Sequence, residues 1–130
     1  MRSFLFFLLM FVAFGATGTF AQHGGKAEPK RVEFAKGKTS IVLTESLKNG
    51  QEMEYVFAAR KGQRVVVKNS QTGLFDFRIF SEEFDTETEF DSSRSYTFDV
   101  PATGDYNFFV RKKMVKTPRR AHFRITLEIR

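Results

Sequence analysis

The feature that most constrains the fold of this chain is an alternation of apolar and polar residues with a period of two. It is clearest near the end of the sequence, where residues 123–129 place an apolar side chain at every second position. Successive side chains of a β-strand point to opposite faces, so this spacing predicts a strand with one buried face. Similar, shorter runs recur from residue 32 onward, separated by turn-forming residues, and none has the spacing of an amphipathic helix.

About eight such runs follow one another at spacings of roughly 10 to 15 residues, which is typical of an all-β domain. The pattern predicts a jelly-roll-like antiparallel β-sandwich over residues 32–130. The chain has 17 phenylalanines and no tryptophan, and aromatic rings are expected to supply most of the buried area. The expected core includes Phe77, Phe98, Phe108, Phe123, Ile125 and Leu127.

Residues 1–21 have the composition of a secretory signal peptide. A short positive segment, 1–3, precedes an unbroken apolar run over 4–14, and Thr19-Phe20-Ala21 resembles a cleavage site. Because the apolar run is too short to span a bilayer comfortably, we expect cleavage before Gln22, release into the periplasm and no stable membrane anchor. A retained N-terminal anchor is the alternative.

Residues 22–31 contain a glycine pair and a proline without periodicity, and they are expected to form a flexible lead-in. The chain has no cysteine, which excludes disulfides, thiolate metal sites, thiol nucleophiles and a lipid anchor on cysteine. An exported chain without disulfides suits the bacterial periplasm. No cofactor is expected, and the sequence is compatible with a monomer or a homodimer.

Catalysis is the least supported class of function. A hydrolase needs a nucleophile, a base and an orienting group within mutual reach, yet His122 is the only histidine beyond the lead-in. It lies on the polar face of a predicted strand, which is typical of a solvated histidine. No motif of a serine hydrolase or a zinc protease occurs. We therefore expect no enzymatic activity.

The acidic segment, residues 81–93, is a candidate cation site. Calcium prefers several oxygen ligands, but the Asp-x-Asp-x-Asp-Gly order of a calcium loop is absent, and Phe84 and Phe90 interrupt the charges. A solvated edge whose charges discourage sheet-to-sheet pairing is favoured, so no metal site is predicted. The carboxylates are Glu82, Glu83, Asp85, Glu87, Glu89 and Asp91.

The basic segment, residues 111–120, contributes strongly to a net charge of +6. Cations at this density suit nucleic acid, anionic lipid or an acidic protein cleft. Export and the lack of aromatic residues within the segment argue against nucleic acid. An ordinary basic loop between two strands is the alternative. The cations are Arg111, Lys112, Lys113, Lys116, Arg119 and Arg120.

A second candidate for binding is the turn that follows Pro101. Proline removes a backbone donor and ends strand pairing. Thr103-Gly104-Asp105 is turn chemistry, and Gly104 is expected to supply a positive φ without steric cost. Tyr106 restarts the alternation on the same face as Phe108, so it is either an interface anchor or a core residue. The segment is predicted to be a β-hairpin that displays a hydroxyl group.

These residues resemble the periplasmic bacterial inhibitors of g-type (goose-type) lysozyme. The similarity covers nearly all of the chain after the signal peptide. It runs through Val-Glu-Phe-x-Lys-Gly at 32–37, the Tyr-x-Phe-x-Ala-x-Lys-Gly-Gln segment from 55 to 63, and Pro-Ala-x-Gly-x-Tyr at 101–106. The Lys-Gly-Gln turn and the Pro-Ala-x-Gly-x-Tyr segment are shared with pre-peptidase C-terminal domains, which are also β-sandwiches.

The resemblance implies that the loop matching the family's Ser-Gly-x-Tyr motif enters the lysozyme cleft. A lysozyme cleft contains carboxylates, which repel the negative side chain of Asp105 in this loop. Asp105 must therefore point away, pair with a cation or weaken binding. The implied partner is g-type lysozyme, and the expected contacts are Thr103, Gly104, Tyr106, Arg111, Lys113 and Arg119.

Two other functions stay open at this level. One is a secreted module, similar to a pre-peptidase C-terminal domain, that binds polysaccharide or another envelope component. The other is an envelope structural protein that acts through its acidic and basic loops. A sugar-binding module should present exposed aromatic rings in a row, whereas most phenylalanines here alternate inward.

Overall fold

The computed structural model describes residues 28–84 and 88–130, so the predicted signal peptide and its cleavage site lie outside the described residues. Within this part of the chain, eight strands form two sheets of four strands, which confirms the predicted β-sandwich. No helix there has the length and apolar character to cross a membrane. The strands are β1 (Lys30–Arg31), β2 (Ser40–Lys48), β3 (Glu52–Ala59), β4 (Arg64–Asn69), β5 (Phe75–Phe80), β6 (Ser95–Asp99), β7 (Gly104–Lys112) and β8 (Arg120–Ile129).

The chain alternates strictly between the two sheets. Sheet 1 has the order β1-β3-β7-β5 and sheet 2 the order β2-β8-β4-β6. All pairings are antiparallel except that of β1 with β3. Each loop therefore joins one sheet to the other. The prediction of a β-hairpin at Pro101 is wrong, because β6 and β7 belong to different sheets and their loop bridges the sandwich.

The core lies between the sheets and follows the predicted alternation. Phe123, Ile125 and Leu127 on β8 are fully buried. Phe108 is fully buried in the facing sheet, where its ring centroid lies 6.0 Å from that of Phe77. These observations confirm the predicted inward faces of β5, β7 and β8. Among the six predicted core residues only Phe98 is partly exposed, because β6 forms an edge of sheet 2.

The first strand lies earlier in the chain than its sequence suggests. The alternation over 32–35 predicts a strand there, but Lys30 and Arg31 form β1 instead and pair with Tyr55 and Val56. The sequence places these two residues in the flexible lead-in. Two residues are too few to show a period, so backbone pairing with β3 defines this strand.

The acidic segment packs against the sandwich. Asp91 exchanges two backbone hydrogen bonds with Phe77 of β5, at 2.7 and 3.0 Å. The Phe84 ring packs on Phe98 with a centroid distance of 5.5 Å. Asp85 and Glu87 lie outside the described residues, and the described residues contain no group of three or more histidine, aspartate or glutamate side chains that could hold a metal ion.

Candidate functional site

The loop between β6 and β7, residues 100–103, lies at one end of the sandwich. Strand register sets its neighbours. Ala59 at the end of β3 pairs with Gly104, and Arg64 at the start of β4 pairs with Asp99. The β3–β4 turn, residues 60–63, is therefore next to the loop.

Backbone hydrogen bonds fix this loop against the β3–β4 turn. The Val100 N–H donates to the Gln63 carbonyl at 2.8 Å, and the Gly62 N–H donates to the Val100 carbonyl at 3.0 Å. The Lys61 N–H donates to the Thr103 hydroxyl oxygen at 2.9 Å. Gly62 has a φ of 91°, which only glycine adopts readily. The loop is thus held in shape before any partner arrives.

Tyr106 supports the loop from inside the core. Its side chain is 0% exposed, and its hydroxyl donates to the Ala102 carbonyl at 2.6 Å. Its ring stacks on Phe57 at a centroid distance of 5.7 Å and also contacts Phe84 and Phe98. A buried tyrosine that bonds to backbone a few residues upstream resembles the tyrosine corner of other β-sandwiches. Tyr106 therefore shapes the loop and presents no surface of its own.

Neither the backbone conformation nor the surrounding packing requires a glycine at position 104. The described glycines with a positive φ are Gly37, Gly50 and Gly62, so the prediction that Gly104 adopts one is wrong. Gly104 instead begins β7 in extended conformation. A Cβ atom added there meets no atom within 4 Å. The glycine leaves open space at the surface of the loop.

This open space adjoins a groove of about 400 Å³ at the same end of the sandwich. The groove combines apolar side chains with two exposed cations, Lys38 and Arg60, that the sequence did not mark as site residues. Its other lining residues include Phe34, Ala59, Gln63, Thr103, Gly104 and Ile129.

Asp105 is neutralised by a cation from β1. The Arg31 guanidinium donates to both carboxylate oxygens of Asp105, at 2.7 and 3.3 Å. These hydrogen bonds lower the pKa of Asp105, and the same pair raises the pKa of Arg31. Of the three outcomes that the sequence allowed for Asp105, the structure shows pairing with a cation.

The structure does not bring the predicted basic contacts to this loop. They lie at or beyond the far end of β7, which is about 27 Å away for nine strand residues. Arg111 forms an ion pair with Asp76 at 2.7 Å. The Lys113 ammonium donates to the Thr72 carbonyl at 2.7 Å, and Arg119 is exposed in the β7–β8 loop.

Sequence reasoning missed Arg31, Lys38 and Arg60 because it grouped residues by closeness along the chain. The useful signal was the Lys-Gly-Gln segment at 61–63, which the sequence predicts as a turn and as part of the family resemblance but not as a neighbour of Thr103. Its position beside Thr103 depends on the pairing of β3 with β7, and periodicity alone does not specify that pairing.

No family model matches this chain, and no curated protein matches it in sequence. Solved structures do match. A periplasmic inhibitor of g-type lysozyme from Salmonella Typhimurium is 25% identical, with a TM-score of 0.66 over 81% of this chain and 100% of that chain. A mutant of the inhibitor from Escherichia coli is 26% identical, with a TM-score of 0.63 over 78% and 97%. The inhibitor from Aeromonas hydrophila is 23% identical, with a TM-score of 0.64 over 78% and 96%.

A pre-peptidase C-terminal domain of a Bacillus anthracis collagenase is more distant. It is 14% identical, with a TM-score of 0.54 over 83% of this chain and 100% of that domain, and it shows a shared fold alone. Both resemblances expected from the sequence are thus found among solved structures. The structure confirms that this chain resembles the periplasmic inhibitors of g-type lysozyme over nearly their full length.

Proposed function

We propose that this chain is a periplasmic inhibitor of g-type lysozyme that inserts the Thr103-Gly104-Asp105 loop into the enzyme cleft. The observation that carries the proposal is the open surface at Gly104 on a loop that its neighbours hold in place. The similar solved structures are themselves described as periplasmic inhibitors of g-type lysozyme. In this proposal the protein has no catalytic role and its partner is the lysozyme.

A rigid loop is suited to this task because little conformational entropy is lost when it enters a cleft. A lysozyme cleft contains at least one functional carboxylic acid. Lys38 and Arg60 line the groove beside the loop and can form charge-assisted hydrogen bonds with carboxylates. Because Arg31 neutralises Asp105, the loop tip does not bring an uncompensated negative charge to that cleft.

Contact residues and supporting residues are distinct in this proposal. Gly104 and Thr103 meet the enzyme, whereas Tyr106 acts through the loop because its side chain is buried. Arg111, Lys113 and Arg119 lie at the opposite end of β7. They take part only if the enzyme contacts a second surface of the inhibitor.

The proposal is tested by measuring lysis of bacterial cell walls by g-type lysozyme in the presence of the purified chain beginning at Gln22. Thr103→Val removes the acceptor of the Lys61 N–H, whereas Thr103→Ser retains it. Loss of this internal hydrogen bond, about 0.5–1.5 kcal/mol, loosens the loop before it binds, so inhibition by the valine variant should weaken by at most about 2- to 12-fold. Thr103→Ser is expected to inhibit like the wild type.

Arg119→Ala serves as the control at the far end of the sandwich, and c-type lysozyme serves as the control enzyme. We expect unchanged inhibition for Arg119→Ala and little inhibition of the c-type enzyme. A folded wild-type protein that leaves g-type lysozyme fully active would refute the proposed function. Equal losses for Arg119→Ala and Thr103→Val would place the contact elsewhere.

A second candidate function, binding of polysaccharide, has one observation in its favour. On the outer face of sheet 1, the Arg78 guanidinium lies 5.4 Å from the Phe80 ring centre and 5.6 Å from that of Phe109. Both rings are partly exposed, and sugars pack against such aromatic faces. Binding of soluble peptidoglycan fragments that Phe80→Ala abolishes, without lysozyme inhibition, would favour this candidate.

A further inference from the structure

A shallow pocket of about 260 Å³ lies on the outer face of sheet 2. It is remote from the β6–β7 loop and plays no part in the proposed inhibition. Three cations and three hydroxyl-bearing residues line it, together with Asn69. The cations are Lys68, Arg94 and Arg124, and the hydroxyl-bearing residues are Ser70, Ser95 and Thr126.

Strand register explains why these side chains meet. Lys68 on the central strand β4 pairs with Thr126 of β8 on one side and with Ser95 of β6 on the other. Directly paired residues of neighbouring strands project from the same face of a sheet. Arg124 lies on the same face, two residues before Thr126, and Arg94 directly precedes Ser95. Side chains at or next to three adjacent strands thus place hydrogen-bond donors side by side on one face of the sheet.

The charge of these cations is uncompensated within the described residues. No carboxylate of residues 28–84 or 88–130 lies within 4.0 Å of the Lys68, Arg94 or Arg124 charged groups, since none of the ion pairs there includes them.

Cations near the other end of the same sheet are paired. Arg64 contacts Asp99 at 3.2 Å, and Arg130 contacts Glu128 at 3.2 Å. Both Arg64 and Lys68 lie on β4. The position opposite Arg64 on β6 holds an aspartate, whereas the position opposite Lys68 holds Ser95. At one end of the sheet the cations are therefore paired with carboxylates, whereas at the other end the cations lie beside hydroxyl groups.

The loop beside the pocket is fixed by hydrogen bonds. The Asn69 N–H donates to the Arg94 carbonyl at 2.8 Å, and the Asn69 side-chain amide donates to the Phe75 carbonyl at 3.0 Å. The Gln71 side chain accepts from the Arg124 N–H at 3.0 Å and donates to the His122 carbonyl at 3.1 Å. The backbone that carries the cations is thus held by hydrogen bonds within the protein.

We propose that this pocket binds a phosphoryl group, either as free phosphate or as a phosphate monoester on a lipid headgroup. A tetrahedral oxyanion offers several acceptors to donors that converge from three strands. Arginine suits such an anion because its guanidinium presents two parallel N–H donors. Binding also relieves the mutual repulsion of the three cations, and the pocket admits one phosphate group with part of what it is attached to.

The primary test is a titration of the isotope-labelled protein with inorganic phosphate, followed by backbone amide NMR shifts. We expect saturable shifts confined to the pocket, with the largest at Lys68, Ser95 and Thr126. Arg124→Gln should weaken the apparent affinity at least tenfold. Lys36→Gln removes the same charge from an exposed position in the β1–β2 loop and should leave the affinity unchanged. The dispersion of each variant's spectrum reports its folding.

Vesicles identify the source of the phosphoryl group. Cosedimentation with phosphatidylcholine vesicles that contain phosphatidic acid, reversed by inorganic phosphate and lost in Arg124→Gln, indicates a lipid headgroup. Saturable phosphate binding without cosedimentation indicates a soluble phosphate compound. The proposal would be overturned by shifts that do not saturate or by equal phosphate affinities of Arg124→Gln and Lys36→Gln. It would also be overturned by vesicle binding that persists in Arg124→Gln.

Discussion

Gly104→Ala is expected to separate stability from inhibition, because the two should change in opposite directions. Glycine within a strand is less stable than alanine by about 0.5–1 kcal/mol. A Cβ atom at Gly104 has no neighbour within 4 Å, and its φ is not positive, so the substitution meets neither clash nor strain. We therefore expect the free energy of unfolding to rise by up to about 1 kcal/mol.

Inhibition by the same variant should weaken. If the enzyme packs closely on the open surface at Gly104, an added methyl group acts as overpacking, which costs about 1–3 kcal/mol in a well-packed site. That range corresponds to an inhibition constant about 5- to 150-fold higher. The assay is inhibition of cell-wall lysis by g-type lysozyme, paired with urea unfolding of the free inhibitor.

Gly73→Ala is a matched control, because Gly73 also lacks a positive φ and any atom within 4 Å of an added Cβ. It lies in the β4–β5 loop, at the opposite end of the sandwich. The control should inhibit like the wild type. Undiminished inhibition by a folded Gly104→Ala protein would refute the contact at Gly104, and a large loss of its stability would refute the packing that we infer around it.

Three further predictions concern buried polar groups. Tyr106→Phe keeps the ring but removes the bond to the Ala102 carbonyl, so unfolding experiments should show a loss of about 0.5–1.5 kcal/mol, together with weaker inhibition. Burial, with a smaller contribution from Glu45, raises the pKa of Tyr55 to about 12. Neutral Tyr55 therefore stabilises the folded state by at most about 2–3 kcal/mol. This contribution is complete below pH 10 and is lost as the pH rises toward 12. Melting temperatures of Tyr55→Phe should therefore fall less steeply with alkaline pH than those of the wild type. Lys112 is fully buried, and its ammonium donates to Asn49 at 2.8 Å and to the carbonyl of the next residue. Asn49→Ala should cost about 1–3 kcal/mol in urea unfolding and more than Lys112→Met, because only the former leaves a buried cation short of an acceptor.

Strands such as β7 and β8 were predictable because each carries its own period. The alternation in β8 assigns Phe123 to the core without reference to any other strand, and the structure confirms it. Strand pairing depends on residues far apart in the chain, and no local pattern specifies it. The local pattern after Pro101 therefore predicts a hairpin, whereas the turn bridges two sheets.

The candidate site was predictable only in part for the same reason. The loop itself was found through its resemblance to a known motif. The ion pair of Arg31 with Asp105 joins residues 74 positions apart in the sequence, so the sequence could only state the alternatives for Asp105. The burial of Tyr106 was one of two outcomes that its alternation allowed.

The strict alternation of the chain between the two sheets has a consequence for how the protein folds. Even the shortest-range pairing between two of the eight strands, Lys30 with Tyr55, spans an intervening strand of the other sheet, and β2 pairs only with β8, the last strand of the chain. Such a high contact order predicts folding in milliseconds to seconds, since long loops must close before any ladder forms. Sheet 1 is incomplete without β7 and sheet 2 without β8. A chain that crosses a membrane N-terminus first would thus complete neither sheet until β7 and β8 emerge.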